Sequence, residues 1–156
     1  MIQRDEWNGF EGKKWKDIGV DMLYGSINID STDPVTSSPG ATYYGLLLSI
    51  MCDGEITDEA VAKNLPKLKE FYTKSGYMNN TPADLFELYL KTGVGGKPMI
   101  VDYEKSVIDF ANSNPDGWEQ VKDKMRILYP TPSAIAPKGI KSRFTPELCI
   151  ITCISR

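Results

Sequence analysis

Hydroxyl side chains crowd one short stretch of this chain, and they are its strongest chemical signal. Ser31-Thr32-Asp33-Pro34-Val35-Thr36-Ser37-Ser38-Pro39-Gly40 carries five hydroxyls in ten residues. Hydroxyls and amides hold a polar ligand without fixed charge. Just beyond the stretch begins an apolar run of helical length, Tyr43 to Cys52. Pro39 suits the first turn of that helix and Ser38 suits its N-cap. A helix start leaves backbone N–H groups unpaired, and these favour an anion or a polar oxygen. Ahead of the stretch, Tyr24 to Asp30 alternates weakly and reads as a short strand. A strand-to-helix turn in an open α/β sheet lies at the carboxyl edge of the strand, where ligands bind. The alternative is a hydroxyl-rich capping turn with no ligand, and the residues alone leave both open.

Other stretches carry weaker signals. Thr81-Pro82-Ala83-Asp84 has a cap, a proline and an acid in the order of a helix start. Asp102 and Glu104 flank Tyr103 after the apolar run Met99-Ile100-Val101, which suits a buried strand. The two carboxylates could form an acid/base pair or bind a cation, although carboxylates near a loop are ordinarily solvated. Gly93-Val94-Gly95-Gly96 precedes a strand, the reverse of a phosphate loop, and reads as a linker turn. Tyr43 and Tyr44 could reach a cleft, with at least one of them in the core. The chain has no histidine, which removes histidine bases, histidine-assisted nucleophiles and histidine metal sites. Cys52, Cys149 and Cys153 form no CxxC pair, so zinc and thioredoxin-like readings have no support. No catalytic residue, metal or cofactor is expected.

The elements that must hold these residues follow from pattern. With 156 residues, 41% apolar and 25% charged, the chain suits one globular domain. A net charge of −3 and the absence of a basic run argue against nucleic acid as a partner. Lys13, Lys14 and Lys16, flanked by Glu11 and Asp17, read as solvated surface. Residues 1–23 form a polar lead-in with Trp7 and Trp15, residues 24–130 an α/β lobe, and residues 131–156 a proline-rich tail. Within the lobe, Thr57-Asp58-Glu59 opens a helix that Pro66 should break or kink. Lys105 to Asn112 is helical, with Val107, Ile108 and Ala111 at core spacing. Asn114 to Gly117 reads as a turn and Met125 to Tyr129 as a last strand. Strands separated by helical crossovers predict a single three-layer lobe with a mainly parallel sheet. The tail is punctuated by Pro130, Pro132, Pro137 and Pro146 and ends in the strand-like run Leu148 to Ile154. Such a run is an aggregation hazard, so it should add to a sheet edge or meet a partner. Met1 to Trp7 is charged with no apolar segment behind it, so an exported parent would carry its leader upstream.

Three pieces resemble a known family. They are Trp15-Lys16-Asp17-Ile18-Gly19; Ser31-Thr32-Asp33-Pro34 with Ser37, Ser38 and Gly40; and Lys97-Pro98-Met99-Ile100-Val101-Asp102-Tyr103-Glu104. In order and spacing they resemble the second lobe of type II periplasmic binding proteins, the broad group that includes molybdate-type binding proteins. The likeness runs from Trp15 to Thr131. It implies a solute bound between two lobes and delivered to the permease of an ABC transporter, with an oxyanion among the candidate solutes. Carried over by position, Thr36, Ser37 and Ser38 would touch ligand together with Gly40 and the amide of Ala41. Tyr103 would approach from a second strand end, and Thr81 and Pro82 would form a third wall. The implied setting is extracellular or periplasmic, membrane-anchored in the full-length protein, and not enzymatic. The departures are Pro39, which lacks an N–H, the missing first lobe ahead of Trp15, and the end after Thr131, unlike the family's return crossing. One lobe alone is also expected to form homo-oligomers. The competing readings are a ligand-sensing regulatory domain on the same fold and, more remotely, a small-molecule enzyme.

Overall fold

A computed structural model describes residues 13–21, 24–76, 78–93, 96–129 and 148–153. Trp7 in the lead-in, the Val94-Gly95 part of the glycine-rich turn and the stretch from Pro130 to Pro146 lie outside the described residues. The helices are α1 (Ser38–Met51), α2 (Asp58–Lys74), α3 (Pro82–Thr92), α4 (Glu104–Ser113) and α5 (Pro115–Val121). The strands are β1 (Met99–Tyr103), β2 (Met125–Leu128) and β3 (Leu148–Cys153).

β1 sets the layering. Successive side chains of a strand point to opposite faces, and Met99, Ile100, Val101 and Asp102 are all buried. Both faces are therefore covered, which is why the segment reads as an unbroken apolar run. Met99 and Val101 pack with Trp15, Ile29, Tyr43 and Tyr44 on the α1 side. Ile100 packs with Leu85, Phe86 and Tyr89 of α3 and with Val107 of α4 on the other side. Both Tyr43 and Tyr44 thus belong to the core, and burial pushes both phenols up from their ordinary value.

The sheet corrects the expectation of a mainly parallel arrangement. Its order is β1-β3-β2, and β3 pairs antiparallel with both neighbours, with Ile151 opposite Ile100 on one side and Ile127 on the other. The α4–α5 crossover makes β1 and β2 run in the same direction, but it does not make them adjacent. The terminal run fills the gap between them. It neither caps an edge nor waits for a partner: Cys149 and Ile151 are fully buried. Among the described residues, parallel pairing is confined to isolated bridges, Asp30 to Ile100 and Thr32 to Asn79. The expected strand at residues 24–30 is thus an extended segment touching β1 at one point. Its backbone is stitched there by Asp30 N–H to the Met99 carbonyl at 2.9 Å and Val101 N–H to the Asp30 carbonyl at 2.8 Å. A half-buried ion pair between Lys97 and Asp30 reinforces the contact.

Three local readings also change. α2 continues through Pro66. The proline forfeits one backbone bond, and the helix runs on so that Leu68 and Phe71 beyond it pack against the core. Asn114 to Gly117 is a helix start, because the Asn114 side chain accepts from the Gly117 N–H at 3.0 Å and Pro115 sits at the first position. Ile108 faces outward at 53% exposure, while Val107 takes the core position. Among the described residues, no helix is long and apolar enough to cross a membrane.

Candidate functional site

The starts of α1, α3 and α4 meet at one open cleft. Its volume is about 410 Å³, and its lining includes the N-cap residues Ser37, Thr81 and Tyr103. Each start has a local cause. At α1, Asp33 builds the preceding turn: its carboxylate accepts from the Val35 N–H at 2.8 Å, and its carbonyl accepts from Ser37 N–H at 2.9 Å. Gly40 lets α1 press onto the segment before it, since a Cβ there would lie 2.3 Å from the Thr32 carbonyl oxygen. At α3, the Thr81 hydroxyl accepts from the Asp84 N–H at 3.1 Å and donates to the Asp84 carboxylate at 2.7 Å. At α4, the chain passes directly from strand to helix, and the Tyr103 N–H donates to Asp102 Oδ1 at 2.7 Å.

Hydroxyl contacts bind the walls to one another. Tyr103 leaves β1 on the α1 side, the face that Met99 and Val101 also use. Its phenol meets Ser38 Oγ at 3.0 Å and Thr42 Oγ1 at 2.9 Å. Thr36 Oγ1 donates to the Asn80 carbonyl at 3.2 Å, tying the α1 turn to the α3 start. Beneath them, Thr32 Oγ1 and Ser37 Oγ share a buried bond of 2.7 Å. Because Ser37 spends its hydroxyl there, its side chain does not cap α1, and Tyr103 likewise does not cap α4. Two of the helix starts therefore bring uncapped ends to the cleft. The α1 end carries partial positive charge and is a place for a ligand oxygen, whereas at the α4 end the Asp102 carboxylate already faces the helix start, through its bond from the Tyr103 N–H.

Asp102 is the ionisable group most affected by this arrangement. One residue before Tyr103, it leaves β1 on the opposite face and is only 2% exposed. Burial pushes its carboxyl up from the ordinary value, opposed by the nearby Ser106 hydroxyl and by the Tyr103 N–H. Oδ2 itself is buried with no hydrogen-bond partner among the described residues. Farther along α4, Lys105 and Asp109 also line the cleft and are ion-paired to each other.

The sequence-derived residues fall into two groups. Thr36, Ser37, Ser38, Thr81, Pro82 and Tyr103 line the cleft together. Gly40 and Ala41 lie outside the lining: Gly40 packs α1 against the Thr32–Asp33 backbone, and the Ala41 amide donates to the Ser37 carbonyl at 2.9 Å. Glu104 turns away from Asp102 and accepts from the Tyr129 hydroxyl at 2.7 Å, so the two acids do not form a pair. Sequence reasoning passed over Ser106, Lys105 and Asp109. Their spacing on α4 after Asp102 was the available signal, since residues three and four apart share a helix face. Comparison with protein families, with characterised proteins and with solved structures found no match to this chain.

Proposed function

We propose that this chain is the solute-binding lobe of an extracellular, two-lobed substrate-binding protein that serves an ABC transporter, and that the cleft at the three helix starts is its half of the ligand site. The observation that carries the reading is the meeting of these helix starts at one open cleft, two of them uncapped. Backbone N–H groups and hydroxyls recognise solute oxygens and release them without a bond-making step. That suits capture and hand-over better than catalysis. The resemblance in the turn before α1 and in β1 supports the same reading. The cleft is open on one side, as a half-site awaiting a second lobe would be.

The test is a titration of the isotopically labelled chain, followed by NMR, with inorganic oxyanions and small organic acids. Binding should move the amides of Ser38, Thr81 and Tyr103 together. Ser38→Glu places a carboxylate in the cleft at a position where the helix dipole tolerates an acid. The variant should keep its fold by circular dichroism and lose the anion response. If wild type shows no response to any probe, or Ser38→Glu keeps the response, the site assignment is overturned.

A further inference from the structure

The two walls of the cleft differ in chemistry. Among the described residues, the wall made by the turn before α1 and by the start of α3 contains Thr36, Ser37, Ser38, Asn80 and Thr81 and no ionisable side chain in the lining. It offers hydroxyls and the few helix-start N–H groups left after Pro39, Pro82 and the Thr81 cap on Asp84, the Ser38 N–H foremost, as a seat for an anionic group. The wall made by the end of β1 and by α4 carries the charge that the described residues bring to the lining: Asp102, Lys105 and Asp109. Lys105 and Asp109 are paired to each other, which leaves Asp102 as the uncompensated charge. Asp102 is buried, and its Oδ2 has no donor among the described residues. A buried acceptor without a partner costs about 1–3 kcal/mol, and more when charged. A ligand that brings a charged donor to this wall recovers that cost. A bare oxyanion instead leaves Oδ2 unsatisfied and is repelled by it. The size of the cleft agrees. About 410 Å³ falls within the range of about 300–1,000 Å³ typical of sites for small organic molecules.

Resting on the solute-binding reading above, we propose that the solute is a small zwitterion of the amino-acid class. Its carboxylate sits at the starts of α1 and α3, and its ammonium sits against the Asp102–Ser106 wall. The ammonium is preferred over a neutral hydroxyl because it supplies several donors and the opposite charge, and a charge-assisted bond is about twice as strong as a neutral one. Oδ2 is closed to water, so contact requires a small side-chain adjustment at the wall, an ordinary extent of change on binding.

The experiment is an NMR titration of the full chain with four probe sets: L-amino acids, their N-trimethyl betaines, the corresponding 2-hydroxy acids, and sulfate or phosphate. At least one amino acid should bind about tenfold or more tighter than its betaine and its hydroxy acid, and tighter than either inorganic ion. It should move the amides of Ser38 and Thr81 together with those of Asp102 to Ser106. Asp102→Asn, nearly identical in shape, should abolish the preference for the amino group while sulfate binding holds or strengthens. Tighter binding of sulfate or phosphate than of every amino acid overturns the zwitterion and leaves the binding cleft standing. Equal binding of amino and hydroxy acids, or a preference that survives in Asp102→Asn, removes the ammonium seat. Silence from every probe overturns the cleft reading and this inference with it.

Discussion

Asp102 links the stability of the chain to its cleft. Burial raises the pKa of its carboxyl above the ordinary carboxylate value in the folded chain. Between the ordinary value and the raised one, the folded chain holds a proton that the unfolded chain has released. Stability therefore falls as pH rises through that window, and the ionised carboxylate remains a cost above it. Asp102→Asn removes the charge while keeping an acceptor for the Tyr103 N–H. Its melting temperature should exceed the parent's at neutral pH, and the gap should close as pH drops below the ordinary carboxylate value. Thermal melts by circular dichroism across pH decide this; a parent that melts at or above the variant at neutral pH contradicts it. Gly40 makes the opposite kind of prediction. A methyl group there meets the Thr32 carbonyl carbon at 2.9 Å and its oxygen closer still, and a backbone carbonyl cannot swing aside. Gly40→Ala should cost about 1–3 kcal/mol by overpacking, despite the higher helix propensity of alanine. Urea unfolding would register this as a lower midpoint; an unchanged midpoint would mean that α1 can slide off the Thr32 segment.

At the scale of elements, β3 and the helix caps contribute on different scales. β3 is hydrogen-bonded on both edges, and Ile151 is closed to solvent at the point where the faces of β1 and β2 meet. Ile151→Ala should therefore cost about 2–5 kcal/mol, the range for emptying a large core position. Thr81→Ala removes only the cap of α3 and should cost about 1 kcal/mol. The pair can be compared by denaturant unfolding at constant slope. If the cap variant proves the more damaging, the strand is not the centre of the sheet's stability. The same contrast explains what was readable. The cap at Thr81 announces itself in four consecutive residues. Asn114-Pro115-Asp116-Gly117 carries equally local chemistry, but that chemistry serves a turn and a helix start alike. The helix continues beyond that start because Trp118 packs, with Phe110, against the core cluster that holds Val107 and Met125.

For the whole molecule, the proposed role implies that one lobe is not enough. A ligand in the cleft keeps one side in water, so about half of its polar contacts must compete with solvent. Each such bond contributes about 0.5–1.5 kcal/mol net, and about 1.4 kcal/mol corresponds to tenfold in affinity. The chain alone should therefore bind its solute several powers of ten more weakly than a closed two-lobed protein. Calorimetry on a strictly monomeric sample is the check, and a submicromolar dissociation constant would show that the chain needs no second lobe. Any self-association should arise at the open cleft, because the apolar end of the chain is consumed inside the sheet. A cleft variant such as Ser38→Glu should then reduce dimer formation in sedimentation experiments, whereas an unchanged dimer would place the contact elsewhere.

Short-range rules made several parts legible from the residues alone: the hydroxyl-rich turn before α1, the capped start of α3, and β1 running out at Tyr103. Each depends on neighbours within four or five positions, where backbone hydrogen bonding and side-chain period dictate the outcome. The place of β3 does not. An apolar run near the chain's end states that it must be buried, but not between which strands, and nothing local distinguishes an edge from a centre. The sheet's antiparallel character follows from that placement alone. The cleft divides in the same way. Sequence supplied its hydroxyls, whereas the buried Oδ2 of Asp102, without a partner among the described residues, exists only because the pleat of β1 turns adjacent residues to opposite faces and one of them is closed over.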